Sequence, residues 1–144
     1  MNMVETALII LLCCTTLVGP RTGVYDQELN YCSPRPNCVS SQSYRYNFVH
    51  HIDPFRYTEE KEEAFQKLKQ KLEAADRVSV LEVDGSYIKT RFYTRVFHFP
   101  DTVEFFFEEN SKTVQIRSES ILGLFDFLAN RRRMNQLREE LGWE

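Results

Sequence analysis

The sequence contains no stretch of about 20 apolar residues, the length that a helix needs to cross a membrane. It has no excess of basic residues either, since 18 Lys and Arg stand against 21 Asp and Glu and the net charge is −3. This balance argues against nucleic acid as a partner. Gly and Pro number only five each among 144 residues, which excludes collagen-like and linker-dominated chains. With 42% hydrophobic and 27% charged residues, the composition is typical of one soluble globular domain.

The most apolar segment, Ala7–Val18, is twelve residues long and lies close to the first Met. This length is typical of the apolar region of a secretory signal peptide, so we expect residues 1–23 to be a signal peptide and the mature chain to have no transmembrane span. A short membrane anchor and lipid attachment at Cys13 or Cys14 remain alternatives. The expected location is therefore secreted or in an organelle lumen.

Removal of this segment would leave two cysteines, Cys32 and Cys38. An even pair in an exported chain favours a disulfide, which would pin residues 24–43 as a loop segment rich in Pro, Asn and Ser. A zinc site would need two further ligands at suitable spacing, and none flank this loop. We therefore predict no metal and no cofactor.

Residues 44–144 show the alternation of helical and strand periodicities that is typical of an α+β domain. Apolar residues at three- and four-residue steps predict one helix from Thr58 to Ala75 and a second from Asn130 to Gly142, with Thr58 and Asn130 as N-caps. Period-two patterns predict an antiparallel sheet of four to five strands, on which the two helices pack. The predicted strands are Tyr44–Ile52, Val78–Val83, Tyr87–Thr94, Thr102–Glu108 and Thr113–Ser118.

Phe106 departs from this simple pattern, because it points away from Phe105 and Phe107 and therefore away from the predicted core face. Either loops or the N-terminal segment cover the second face of the sheet, or that face carries an exposed apolar patch for a lipid or a protein.

The start of the last helix carries three adjacent cations, Arg131, Arg132 and Arg133, after Asn130. Cations at this end of a helix oppose the macrodipole, so negative groups should lie against them. These are either acids of the chain itself or an external phosphate, sulfate or carboxylate, to which Arg117 could also contribute. Arg132 is expected to point outward. The internal candidates are Asp101, Glu104, Glu119 and Asp126.

Several fragments, in the right order, resemble the family called domain of unknown function 1499 over about residues 31–141. The segment Pro36-Asn37-Cys38-Val39-Ser40-Ser41 resembles the opening motif of that family. Further likenesses are Pro54-Phe55-Arg56-Tyr57, Val103-Glu104-Phe105, Arg117-Ser118-Glu119-Ser120 and Asn130-Arg131-Arg132-Arg133. The resemblance implies an exported or organelle-lumen protein and implies no defined activity.

This chain departs from the family pattern at two charged positions. Thr102 stands where the second of two Asp residues is usual, and Ile121 stands where an Arg usually follows the Arg-Ser-x-Ser run. The loss of one acid together with one base favours a structural ion network over a catalytic one. The segment Gly123–Asp126 is also more apolar than its counterpart in the family.

These observations favour a non-catalytic binding or interaction module with an arginine-rich polar cluster for an anionic small molecule, a lipid or an acidic protein partner. Two alternatives stay open. The first is a small hydrolase acting on an anionic substrate, with Asp101 or Glu104 as the acid or base. The second is an accessory subunit that docks through an aromatic strand face onto a membrane-associated complex. The predicted cluster comprises Asp101, Glu104, Arg117, Asn130, Arg131 and Arg133.

Overall fold

A computed structural model describes residues 21–121 and 128–144. This part of the chain forms two helices, which we label α1 and α2, and eight strands, β1 to β8. The helices are α1 (Lys61–Ala74) and α2 (Ala129–Leu141). The strands are β1 (Val24–Tyr25), β2 (Glu28–Leu29), β3 (Cys38–Ser40), β4 (Phe55–Arg56), β5 (Val78–Asp84), β6 (Tyr87–Tyr93), β7 (Pro100–Phe107) and β8 (Thr113–Ser120).

Six of these strands form one antiparallel sheet in the order β3-β8-β7-β6-β5, with β4 also paired to β8. Strands β1 and β2 form a separate two-stranded hairpin. The prediction of an antiparallel sheet with two helices is therefore confirmed, although the sheet has six strands and not four to five. The extra strands are short, and their pairing with β8 is not encoded in a local sequence pattern.

Strands β5 to β8 are consecutive in the chain and follow one another as hairpins. The turn between β5 and β6 contains Gly85 at φ 49°, a left-handed conformation that glycine adopts without steric cost. This is the Asp84-Gly85 hairpin that the sequence predicts. The register places Asp101 opposite Ser120 and Glu104 opposite Arg117.

The main core lies between one face of this sheet and the two helices. Strands β7 and β8 contribute alternate residues that include Phe105, Phe107 and Ile116, all fully buried. The helices contribute residues at helical spacing, which are Ala64, Phe65, Leu68, Leu72, Met134, Leu137 and Leu141. Both periodicities therefore agree on a single buried layer.

The second face of the sheet is covered by the N-terminal segment. Leu29 from β2 packs there with Tyr87 and Phe106, and all three side chains are buried. Of the two alternatives for Phe106, coverage by the N-terminal segment is confirmed. Phe106 is therefore buried and does not form an exposed apolar patch on this face.

Two predictions about the first part of the domain are wrong. Residues Tyr44–Ile52 form turns, apart from an isolated bridge between His51 and Ser40, because the aromatic residues there point into solvent and not into a core. Residues 24–43 are more than a pinned loop, since they supply β1, β2 and β3. The first strand of the main sheet is therefore Cys38–Ser40.

The helix starts also differ from the predictions. Helix α1 begins at Lys61, after Glu60, and not at Thr58. Thr58 is therefore not the N-cap, and its carbonyl and that of Glu59 accept hydrogen bonds from the Lys112 side chain. Helix α2 begins at Ala129, so Asn130 lies within its first turn and is not the N-cap. The end of α2 at Gly142, with φ 68°, is as predicted.

Most of the predicted signal peptide lies outside the described residues, and so do Cys13 and Cys14, the positions of the lipid-attachment alternative. Asp126 also lies outside them. The division into residues 1–23, 24–43 and 44–144 stays a prediction. Within the part of the chain that the structure describes, no helix is long and apolar enough to cross a membrane.

Candidate binding site

The predicted polar residues occupy two separate clusters on opposite faces of the sheet. Side chains that are an odd number of residues apart on a strand point to opposite faces, and Asp101 and Glu104 are three apart. Asp101 lies on the face that carries the helices, with Asn130 and Arg133, whereas Glu104 and Arg117 lie on the face under the N-terminal segment. The prediction of one cluster is therefore wrong.

On the helix face, Asn130 joins the start of α2 to the sheet. Its side chain is fully buried, donates to the Ser120 hydroxyl at 3.1 Å and to the Asn37 carbonyl at 3.1 Å, and accepts from the Ser118 hydroxyl at 2.5 Å. Arg133 donates to Asn130 at 3.0 Å and to Asp101 at 2.6 Å. Asp101 is thus the internal acid that faces Arg133.

On the second face, Arg117 is buried between two carboxylates. It donates to Glu104 at 2.8 Å and also to Glu119. Glu104 further accepts from the Tyr87 hydroxyl and from the Gly23 backbone N–H, each at 2.7 Å. Burial raises the pKa of Tyr87 well above its usual value, and the charge of Glu104 raises this pKa further. The phenol therefore stays a hydrogen-bond donor. The cluster fastens the N-terminal segment to the sheet.

The other two arginines of α2 have different surroundings. Arg131 donates to the backbone carbonyls of Phe48 at 3.1 Å and Val49 at 3.3 Å, so it holds the loop before β4. Arg132 is exposed, as the sequence predicts, and its guanidinium group has no hydrogen bond or ion pair among the described residues.

Arg132 lines a groove of about 370 Å³ that the sequence analysis did not find. The groove lies between the end of α1, the first turns of α2, and the adjoining ends of β5 and β6. Its apolar wall is formed by Leu72, Ala75, Val78, Phe92 and Leu137. Its charged rim is formed by Lys71, Asp76, Arg77, Arg132, Arg133 and Glu140.

The rim of the groove is predominantly positive. Lys71 is paired with Glu140 at 2.7 Å, and Arg133 is paired with Asp101, which does not line the groove. Arg77 and Arg132 have no carboxylate within ion-pair distance in the described part of the chain. Arg133 also lies over the Phe92 ring, 5.1 Å from its centroid. Asp76 is the remaining acid of the rim. The groove therefore combines an apolar and aromatic wall with two guanidinium groups that form no ion pair among the described residues.

No local pattern in the sequence predicts this arrangement. Arg77 lies in the short connection between α1 and β5, a position where a charged residue is usually only solvated. It reaches the groove because its carbonyl accepts from the Tyr93 N–H at 2.9 Å, which fixes this connection beside the end of β6. Arg77 and Arg132 come to one cavity only because α2 packs beside the paired ends of β5 and β6.

The predicted disulfide between Cys32 and Cys38 is confirmed, with the Cα atoms 5.6 Å apart. It joins the N-terminal segment to β3, the edge strand beside β8. In residues 21–121 and 128–144, no group of three or more His, Cys, Asp or Glu side chains is placed to hold a metal ion.

Comparison with known proteins gives one match. A family described as "Protein of unknown function (DUF1499)" matches residues 28–141. No curated protein and no solved structure matches the chain. The match covers most of the chain and includes β2 to β8 and α2, so the chain belongs to the DUF1499 family.

Proposed function

We propose that this protein is a non-catalytic binding module that holds an anionic group with an attached apolar body in the groove between α1 and α2. The observation that carries the proposal is that Arg77 and Arg132 line the groove above an apolar wall and form no ion pair among the described residues, with Asp76 as the remaining acid of the rim. Guanidinium groups donate forked hydrogen bonds that match phosphate and carboxylate oxygens. The apolar wall would bury a short hydrocarbon or ring.

The size and charge of the groove support this ligand class. A volume of about 370 Å³ lies within the range of small-molecule sites. An anion there would meet these two arginines and the first turn of α2, whose macrodipole is positive at this end. A bound anion would also offset the unfavourable position of three cations in that turn. The sequence alone predicts an anion site that includes Arg117, Arg131 and Arg133, but these three side chains bind groups of the protein itself.

Acid–base catalysis at the predicted carboxylates receives no support from the geometry. Asp101 accepts from Arg133, and Glu104 accepts from Arg117, Tyr87 and Gly23. Neither carboxylate lines the groove. Both act as partners of arginines in the fold, and the hydrolase alternative would require a different acid or base.

We further propose that the module works in a secreted or lumenal, oxidising compartment. The Cys32–Cys38 disulfide supports this location, because disulfides persist in such compartments and are rare in the cytosol.

Binding of hexyl phosphate, followed by calorimetry and by the shift in melting temperature, tests the groove. Inorganic phosphate and hexanol are the comparison ligands, since each has only half of the proposed chemistry. We expect hexyl phosphate to bind most tightly, and Arg132→Gln to weaken it about tenfold or more, the size of a lost charge-assisted hydrogen bond. The double variant Arg77→Gln/Arg132→Gln should weaken it further.

Arg45→Gln is the matched control, because Arg45 is also exposed and its only carboxylate neighbour, Asp53, is 3.9 Å away. It should leave the affinity unchanged. Equal affinity in the Arg132→Gln variant and the wild type, or no binding of hexyl phosphate at all, would exclude this groove as the site.

A further inference from the structure

The loop between β6 and β7 exposes three large apolar side chains at one end of the sheet. Val96 is 75% exposed, Phe97 is 71% exposed and Phe99 is 45% exposed. These residues stand apart from both hydrophobic clusters of the fold. Solvation of these side chains is unfavourable, and their grouping on one short loop distinguishes them from scattered surface residues.

The loop holds this conformation through its own hydrogen bonds. The Thr94 N–H donates to the Phe99 carbonyl at 3.0 Å, the Phe99 N–H donates to the Thr94 hydroxyl at 2.9 Å, and the His98 N–H donates to the Thr94 carbonyl at 3.1 Å. The Phe97 and Phe99 rings stack with their centroids 5.4 Å apart. The tip of this loop, which we define as residues 96–99, is therefore ordered before it meets a partner. This order lowers the entropic cost of docking.

The charges around this tip are positive. The loop itself carries Arg95 and no carboxylate from Thr94 to Pro100. Arg77 is fixed beside Tyr93 at the base of the loop, and its charge is opposed there by the exposed Asp76 that precedes it, so Arg95 supplies the net positive charge. The nearest acid along the chain from the loop, Asp101, is buried and paired with Arg133. A partner that complements this loop would have an apolar interior and a negatively charged surface.

We infer that this tip docks onto an anionic lipid bilayer, with Phe97 and Val96 entering the headgroup region. Aromatic side chains favour that region, and each arginine near an anionic surface raises partitioning by about fivefold. Three side chains on one loop are too few for a stable protein–protein interface, which buries about 800 Å² on each partner. The inference does not depend on ligand binding in the groove, because the exposed apolar side chains and Arg95 belong to the loop and do not line the groove.

Quenching of a tryptophan at the tip by brominated lipid tests this inference in the full chain. The native Trp143 is 7% exposed and supplies a constant background, which the wild type measures. In vesicles of phosphatidylcholine and phosphatidylglycerol, we expect Phe97→Trp emission to shift to the blue and to be quenched. Because the readout is local to residue 97, association of the apolar N-terminal residues with the vesicle cannot imitate it.

Tyr25→Trp is the matched control, since Tyr25 is 66% exposed on the β1–β2 hairpin, which covers the other end of β6. Its emission should change no more than the wild type. Adding Arg95→Gln to Phe97→Trp should weaken the anionic-vesicle effect about fivefold, and adding Arg45→Gln should not. Equal quenching of the Phe97 and Tyr25 variants, or equal quenching with vesicles of phosphatidylcholine alone, would overturn the inference.

Discussion

Removal of Arg117 tests whether the buried cluster on the second face of the sheet is structural. Arg117 is 2% exposed and lies between Glu104 and Glu119, so the variant Arg117→Met leaves two carboxylates buried without a cation. Loss of one partner from a buried ion pair costs about 3–5 kcal/mol. We expect a loss of this size in the free energy of unfolding at pH 7, and a melting temperature about 10 °C lower or more.

The assay is urea unfolding followed by the fluorescence of Trp143, which packs in the main core. The triple variant Arg117→Met/Glu104→Gln/Glu119→Gln should recover most of the stability at pH 7, since no charge then remains buried there.

Arg95→Met is the control, because Arg95 is exposed and its loss should change stability by less than about 0.5 kcal/mol. A deficit below about 1 kcal/mol for Arg117→Met, or a triple variant no more stable than Arg117→Met, would refute the assignment of this cluster to the fold.

Three further predictions concern stability. Burial opposes ionisation of Glu59, but hydrogen bonds from its own N–H, Trp143, Thr58 and Lys67 outweigh it and lower its pKa from 4.5 to about 2. The stabilisation by ionised Glu59 is thus present above pH 4.5 and is lost as the pH falls to about 2. The free energy of unfolding of Glu59→Gln should therefore be about 1–2 kcal/mol lower than that of the wild type at pH 7 and equal to it in acid. Reduction of the Cys32–Cys38 disulfide should cost about 2 kcal/mol in urea unfolding, with Cys32→Ser/Cys38→Ser insensitive to reductant. Asn130→Ala should lower the free energy of unfolding by about 1–3 kcal/mol, because the Asn37 carbonyl and the Ser118 hydroxyl lose a buried partner. Asn135→Ala, on the exposed side of α2, should change the free energy of unfolding little. Equal melting curves for the two variants would contradict this prediction.

The sequence predicts the parts of the fold that depend on local periodicity. Strands β5 to β8, the apolar stripe of α1 and the end of α2 at Gly142 follow from period-two and helical patterns and from turn chemistry. The strand predicted at Tyr44–Ile52 fails because alternation of aromatic residues does not reveal whether a buried face exists. Pairing of β3 and β4 with β8 joins distant parts of the chain, and no local pattern encodes it.

The candidate site shows the same division. The sequence identifies the cations at the start of α2 and the need for acids nearby, and Asp101 meets that need for Arg133. Period two along β7 already separates Asp101 from Glu104, so the sequence contained the reason why these residues do not share one cluster. The groove could not be predicted, because Arg77 and Arg132 come together only when α2 packs beside the β5–β6 hairpin.

The pairing of β8 has a consequence for folding and solubility. Strands β5 to β8 are contiguous, so this meander can assemble from short-range contacts, whereas β3 must return from about 80 residues away to cover residues 117–119 of β8. Until it does, half of that strand presents unpaired N–H and C=O groups, which are a template for aggregation. The disulfide fixes β3 to the N-terminal segment. Oxidation therefore limits the conformations of the segment that contains β3 before this strand pairs with the exposed edge of β8. Nascent chains kept reduced should therefore associate through β8 more readily than oxidised ones.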